Sequence, residues 1–89
     1  MKILVSVYDS VSNLYSAPVV EVNEEVAIRN FRLGIAQNAI VNSCPEDFEL
    51  RLIGQFSESI GSVNGVDFDG LNYKTLCKAS SLLKSSTAE

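Results

Sequence analysis

The sequence contains no histidine and no tryptophan, and it has only two cysteines among its 89 residues. Without histidine, the chain lacks the usual general base that activates a serine or cysteine nucleophile. Cys44 and Cys77 stand alone, so they do not form the paired spacing of a zinc site. We expect free thiols in a reducing cytosol rather than a disulfide. These absences argue against most nucleophilic and metal-dependent enzymes.

Positive charge is also scarce, since 7 lysines and arginines face 11 acidic residues and the formal net charge is -4. That balance opposes bulk attraction to DNA or to an anionic membrane, although a local basic patch remains compatible with it. Long apolar runs are missing too. The run at residues 3–7 is too short for a membrane span or a signal-peptide core. We therefore expect a cytosolic protein without membrane contact.

What is present is an apolar content of 46%, enough for one small core. Alternating apolar residues predict strands at residues 2–8 and 48–57. A short strand is predicted at residues 14–16, and Pro18 after it is typical of a sheet edge, with extended chain resuming at residues 19–22. Residues 1–84 are expected to form a single compact domain, and residues 85–89 a frayed tail.

A first helix is predicted at residues 23–37. Asn23 can cap its free amides, Glu24 and Glu25 favour its positive end, and Gly34 weakens it by about 1 kcal/mol relative to alanine. The apolar positions fall on one face at spacings of three and four. They are Ala27, Ile28, Phe31 and Ile35.

The second half of the chain predicts a hairpin and another helix. Asn64 and Gly65 form the strongest short hairpin signal, so a brief returning strand is expected at residues 66–68. Helical spacing of apolar residues predicts a helix at residues 72–84, while residues 38–43 are interpreted as a linker. The order β-β-α-β-β-α indicates an α/β fold of α+β type. We expect an antiparallel sheet of about four strands, two helices packed on one face, and a homodimer that covers exposed surface.

Acidic and glycine-containing motifs do not predict a reaction. Adjacent or nearly adjacent carboxylates can bind a cation, but here they are better interpreted as solvated turn and capping groups. Gly65 and Gly70 have the spacing of a phosphate-binding loop, yet Leu71 stands where that loop needs lysine. We therefore expect no metal, no cofactor and no enzymatic activity.

Five basic residues are the candidates for nucleic-acid contact, provided that the helix face and the strand face adjoin. They are Arg29, Arg32, Arg51, Lys74 and Lys78. Tyr8, Tyr15 and Phe68 are the candidates for stacking on unpaired bases. The alternative is an ordinary solvated surface on which these charges balance nearby carboxylates. The residues alone favour that alternative.

Five short segments follow one another in a distinctive order and spacing over about residues 3–61. They are Val7-Tyr8-Asp9, Tyr15-Ser16-Ala17-Pro18, Ala27-Ile28-Arg29-Asn30-Phe31, Pro45-Glu46-Asp47-Phe48-Glu49-Leu50 and Ile53-Gly54-Gln55-Phe56. This series resembles the small nonstructural protein of gokushovirus-type phages, members of the Microviridae with single-stranded DNA genomes.

The resemblance implies a non-catalytic protein that binds single-stranded DNA during genome replication or packaging. It also implies a location in the host bacterial cytoplasm and absence from the mature virion. Of the basic candidates, only Arg29 falls within a motif of the family. A second hypothesis is an interaction module that binds a viral or host replication protein without touching DNA, with the edge near Pro18 adding to another sheet.

Overall fold

The computed structural model describes residues 1–83, which form an antiparallel sheet of six strands and three short helices. The strands are β1 (Lys2–Asp9), β2 (Leu14–Tyr15), β3 (Val19–Glu21), β4 (Phe48–Phe56), β5 (Val63–Gly65) and β6 (Lys74–Lys78). The helices are α1 (Glu24–Ile35), α2 (Ala39–Ser43) and α3 (Ala79–Leu83), and a 3-10 turn spans Pro45–Asp47. The antiparallel α+β class is confirmed, but the prediction of four strands and two helices is wrong.

Two long strands, β1 and β4, form the centre of the sheet. They pair along almost their whole length, from Lys2 opposite Phe56 to Asp9 opposite Phe48. On one side, β2 and β3 both pair with β1; on the other side, β5 and β6 both pair with β4. The chain between β2 and β3 contains Pro18, which has no N–H to donate, so the prediction of an interrupted edge strand is confirmed.

The core lies on one face of this sheet, and all three helices contribute to it. Val5 and Leu50 supply the centre of the sheet side, where both are buried. The helices supply Ala27, Phe31 and Ile35 from α1, Val41 from α2 and Ala79 from α3. The opposite face of the sheet therefore has no helix over it among the described residues.

Helix α1 forms as the sequence indicates. The Oδ1 atom of Asn23 accepts from the backbone N–H of Val26 at 2.8 Å, which satisfies one of the free amides of the first turn. Glu24 and Glu25 occupy that turn, and the helix ends at Ile35. Residues 38–43 were interpreted as a linker, but most of them form α2. Asn38 caps this helix by accepting from Ile40 and Val41 at 3.0 and 3.1 Å.

The predicted helix at residues 72–84 is wrong over most of its length, because Lys74–Lys78 is strand β6 and, within the described residues of that range, helix is confined to Ala79–Leu83. The edge of β4 offers unpaired backbone groups that β6 satisfies, with Glu49 opposite Lys78 and Leu52 opposite Lys74. A bulge in this ladder lets Leu76 and Cys77, although adjacent, both pack against the core. That bulge produced the apparent helical spacing.

The hairpin after β4 also differs from the prediction. Its turn lies at residues 57–62, where Gly61 has a φ of 73° and donates to the carbonyl of Ser57 at 2.7 Å. Asn64 and Gly65 belong to β5 and pair with Gln55 and Gly54. A second tight turn, closed by backbone hydrogen bonds between Phe68 and Leu71, replaces the returning strand.

The described part of the chain contains no helix long and apolar enough to cross a membrane. The expected tail at residues 85–89 lies outside the described residues, as does Lys84.

Candidate functional site

Arg51 projects from the helix-free face of the sheet. It lies opposite Ser6, while the flanking cross-strand pairs, Val5 with Leu52 and Val7 with Leu50, point toward the helices. Since successive side chains of a strand alternate between faces, Arg51 leaves β4 on the other side from the core. The Arg51 side chain nevertheless retains only 13% of its exposure. Neighbouring side chains on the same face must therefore cover it.

The covering side chains are the three tyrosines of the protein. The guanidinium carbon of Arg51 lies 3.8 Å from the ring centre of Tyr8, 3.8 Å from that of Tyr73 and 5.6 Å from that of Tyr15. The Nη1 atom of Arg51 also donates to the hydroxyl of Tyr15 at 2.7 Å. We call these four residues the tyrosine–arginine cluster. Each contact within about 6 Å is in the range where a cation attracts the face of an aromatic ring.

Polar contacts hold the cluster in place. The Nε atom of Arg51 donates to Glu49, and the hydroxyl of Thr75 donates to the same carboxylate at 3.1 Å. The Tyr8 hydroxyl donates to Oδ1 of Asn13 at 2.7 Å, and Asn13 has a φ of 61°, which asparagine tolerates better than most residues. The rings are thus presented by a fixed network that joins β1, the β1–β2 turn, β4 and β6.

Arg51 stays charged in this setting. Burial disfavours the cation, but the hydrogen bonds to Glu49 and Tyr15 outweigh burial, so the pKa of Arg51 is raised above its ordinary value. Glu49 is also well covered, with 16% side-chain exposure, so this pair is shielded from water more than a surface ion pair. The cluster therefore presents aromatic surface around a charge that is already largely compensated.

Tyr15 offers the most accessible ring, with 44% of its surface exposed. Its ring centre lies 4.9 Å from that of Tyr8, with the two planes tilted by 54°. Arg51 covers the Tyr8 ring, so Tyr15 is the ring of this pair that is accessible to a flat partner. The cluster can bind planar groups by stacking, and it contains no nucleophile beside a general base.

The structure places the five predicted basic residues on different surfaces. Arg51 and Lys78 share the helix-free face, because Lys78 is the cross-strand partner of Glu49. Arg29 and Arg32 are exposed on α1, which packs on the opposite face of the sheet. Lys74 forms an ion pair with Glu24 at 3.1 Å. The sheet therefore separates the two helix arginines from Arg51, and the five do not form one patch.

Tyr73 was missed as a site residue because its spacing assigned it to the apolar face of a helix. The strand assignment of β6 brings it instead to Arg51. Tyr8 and Tyr15 were among the stacking candidates, and both belong to the cluster. Phe68 was the third candidate, and its ring lies near Lys74, with 5.9 Å between the ammonium nitrogen and the ring centre. The β-branched Thr75, two positions after Tyr73, was a sequence feature that favoured a strand in this segment.

The cysteines do not form a reactive centre. Cys44 is exposed and Cys77 is partly buried, and both are free thiols. Burial raises the pKa of Cys77 to about 11, so this thiol stays protonated and unreactive at neutral pH. Within residues 1–83, histidine, cysteine and carboxylate side chains do not gather into a group of three that would hold a metal ion.

Comparison with known protein families gives a match to the family described as Phage ORF5 protein, over residues 2–82. That range includes every described strand and helix except the last residue of α3 and contains all four residues of the tyrosine–arginine cluster. Neither a curated protein nor a solved structure matches the chain.

Proposed function

Because the chain belongs to the Phage ORF5 protein family, we propose that it is a non-catalytic accessory protein that binds single-stranded DNA during phage genome replication or packaging. The motif resemblance at residues 3–61 supports a finer assignment, to the nonstructural proteins of gokushovirus-type Microviridae. On this proposal the protein acts in the host bacterial cytoplasm and does not enter the mature virion.

The observation that carries the proposal is the tyrosine–arginine cluster on the helix-free face of the sheet. Proteins that bind single strands with little sequence preference stack the bases on aromatic side chains presented by a β-sheet. Each stacked base contributes about 1–3 kcal/mol, which does not depend on the net charge of the protein. On this proposal Tyr15, the most exposed of the three tyrosines, is the first stacking position, and Lys78 on the same face contacts phosphate.

The acidic net charge of the protein determines how strongly its DNA binding should depend on salt. Arg51 is paired with Glu49, so Lys78 is left as the main contributor of positive charge on this face. Each phosphate contact to a single strand contributes about -0.7 to the slope of log K against log salt. One or two contacts thus predict a slope of roughly -1, far shallower than that of a protein with a basic groove.

The first test is titration of a fluorescent single-stranded oligonucleotide with the purified protein across a salt series. We expect measurable binding with a shallow salt slope. Tyr15→Ala should weaken it by about 1–3 kcal/mol, the contribution of one stacked base. Tyr15→Phe should retain most of the affinity, because it keeps the ring and removes only the hydrogen bond to Arg51.

Two control variants locate the binding surface. Phe68→Ala removes an aromatic ring outside the cluster and should leave the affinity unchanged. The double variant Arg29→Ala/Arg32→Ala removes the two charges on α1, on the other side of the sheet, and should also have little effect. Absence of binding at low salt, or loss of binding only in the arginine double variant, would contradict the tyrosine–arginine cluster as the DNA site.

The second candidate function is a protein-interaction module that binds a viral or host replication protein. The observation that favours it is the apolar surface along the edge formed by β2 and β3. Leu14, Val19 and Val20 are 67%, 53% and 42% exposed there. A lysine substitution at Val19 should abolish partner binding and leave DNA binding intact, since lysine on an edge strand blocks the addition of another strand.

A further inference from the structure

An apolar groove lies on the helix side of the sheet, and it meets the tyrosine–arginine cluster at Tyr15. It has a volume of about 540 Å³. Its deep wall consists of Phe31, Ile35 and Val41, which are 7%, 5% and 5% exposed. A groove of this size is within the range that proteins use to bind a ligand or a side chain of a partner.

The groove opens between the β1–β2 hairpin and the end of α1. The lining residues that are exposed to solvent all lie along this opening. They are Ser12, Leu14, Tyr15, Ser16, Gly34 and Asn38. Strand β2 borders the opening and is an edge strand of the sheet. An extended segment beside β2 could therefore pair with the edge and also insert a side chain into the groove.

Gly34 is the residue that keeps this opening wide. It lies in the last turn of α1, where glycine costs about 1 kcal/mol relative to alanine. Its φ is not positive, and a Cβ atom added there would meet no atom within 4 Å. Neither backbone conformation nor close packing within the chain thus requires glycine at this position. Glycine permits the close approach of a ligand to the backbone, so binding at this opening would account for a glycine here.

The charge around the groove indicates the kind of partner. Asp9 is the one charged residue among those that line it. The sequence contains no lysine or arginine from residue 3 to residue 28, which includes β2, β3 and most of β1. By contrast, β6 carries a lysine at each end, a common protection of a sheet edge. The β2 edge is apolar and acidic, and it lacks that protection.

We propose that this groove and the β2 edge together bind an extended segment of a partner protein that carries a large apolar side chain flanked by lysine or arginine. The segment adds a strand beside β2, its apolar side chain enters the groove past Gly34, and its basic residues lie near Asp9. This surface adjoins the DNA site proposed above, because Tyr15 lines the groove and also belongs to the tyrosine–arginine cluster. Gly34 lines the groove and lies outside the cluster. Substitution of Gly34 should therefore weaken peptide binding and leave DNA binding unchanged, so the failure of one function can be told from the failure of the other.

The probe is a short fluorescent peptide in which leucine and lysine alternate, titrated against the intact protein. We expect it to bind, and we expect amide NMR signals of Leu14, Ser16 and Gly34 to shift during the titration. A peptide alternating leucine and glutamate tests the charge, and one alternating serine and lysine tests the apolar side chain. Both should bind more weakly than the leucine–lysine peptide, by about tenfold or more.

Gly34→Leu is the decisive variant, because it adds an apolar side chain at the opening and its Cβ atom meets no atom within 4 Å. It should weaken peptide binding about tenfold or more while the protein remains folded, since leucine favours the helix. The matched control is Gly65→Leu, a glycine in β5 outside the groove whose added Cβ also meets no atom within 4 Å. Gly65→Leu should bind the peptide as the wild type does.

Three results would overturn the proposal. The first is equal binding of the peptide to wild type and Gly34→Leu, and the second is a set of NMR shifts confined to residues away from the groove. The third is a wild-type dimer, measured by light scattering, that Gly34→Leu dissociates while the peptide does not bind. In that case the groove holds a second copy of the chain instead of a basic segment.

Discussion

At the scale of single residues, the environment decides what each ionisable group can do. Arg51 has a charge and a position suited to a binding site, yet Glu49 and the three tyrosines already surround it. Its main contribution is to hold the rings in place through stacking and one hydrogen bond to Tyr15. Cys77 shows the opposite case, because burial raises the pKa of its thiol and so removes reactivity, although Lys78 follows it directly in the chain.

Cys77 supplies a prediction on pH. Burial raises its pKa from 9.0 to about 11, so the folded protein holds this proton more tightly than the unfolded chain does. The contribution of this proton to the free energy of unfolding is fully present below pH 9, and it is lost as the pH rises toward 11. We expect the free energy of unfolding to fall over that range, and to fall less in Cys77→Val. The measurement is urea unfolding at a series of pH values.

Cys44→Ala is the control for this experiment, because Cys44 is exposed and takes no part in the core. It should keep the pH dependence of the wild type. If Cys77→Val and wild type lose stability in parallel above pH 9, then the Cys77 thiol is not shielded in solution.

At the scale of helices and strands, two glycines illustrate opposite constraints. Gly34 in α1 has open space where a Cβ would be. Gly54 in β4 does not, because a Cβ there would lie 2.9 Å from the backbone oxygen of Asn64 in β5 and 3.3 Å from the side chain of Leu4. The first glycine weakens its element without a packing reason, whereas the second allows β5 to approach β4.

The two alanine substitutions should therefore change stability in opposite directions. Gly34→Ala should raise the free energy of unfolding by about 0.5–1 kcal/mol, since alanine favours the helix and restricts the unfolded chain. Gly54→Ala should lower it by about 1–3 kcal/mol, the usual cost of overpacking. Chemical denaturation measures both. A destabilising Gly34→Ala would show that this position is packed in solution, and a neutral Gly54→Ala would show that β5 moves aside easily.

At the scale of the whole molecule, the sheet divides the protein into two surfaces with different chemistry. The helix side holds the core and the apolar groove, while the open side holds the tyrosine–arginine cluster. Strand β4 connects them, since Leu50 faces the core and Arg51 faces the tyrosines. It also pairs with β1, β5 and β6. Loss of packing along β4 should therefore affect the entire fold.

Leu50→Ala tests this central role. Leu50 is 3% exposed, and truncation of a buried leucine typically costs about 2–5 kcal/mol. Because small domains are stable by only about 5–15 kcal/mol, we expect a large shift of the denaturation midpoint in a single cooperative transition. Val63→Ala in β5, where the valine is 63% exposed, should change stability by no more than about 0.5 kcal/mol. A Leu50→Ala effect as small as that of Val63→Ala would contradict the assignment of β4 as the centre.

The elements that could be read from the sequence are those whose signals are local. Helix α1 was predicted from the capping residue Asn23, the two glutamates after it and the spacing of apolar residues by three and four. Strands β1 and β4 were predicted from the alternation of apolar and polar residues. Pro18 predicted the interrupted edge strand because proline has no backbone N–H to donate, whatever segments lie around it. Composition also determined the size of the domain and its acidic charge.

The tertiary structure decided the rest, because those features depend on contacts between distant segments. Residues 74–78 became a strand when the free edge of β4 provided backbone partners, and the bulge there disguised it as a helix. The tyrosine–arginine cluster needs β1, β2, β4 and the residue before β6 to lie side by side, so Tyr73 was not predicted as part of it. Likewise, the separation of Arg29 and Arg32 from Arg51 follows from packing α1 on one face of the sheet. Local patterns indicate whether a segment forms a helix or a strand, but only the pairing of strands and the packing of helices determine which side chains meet.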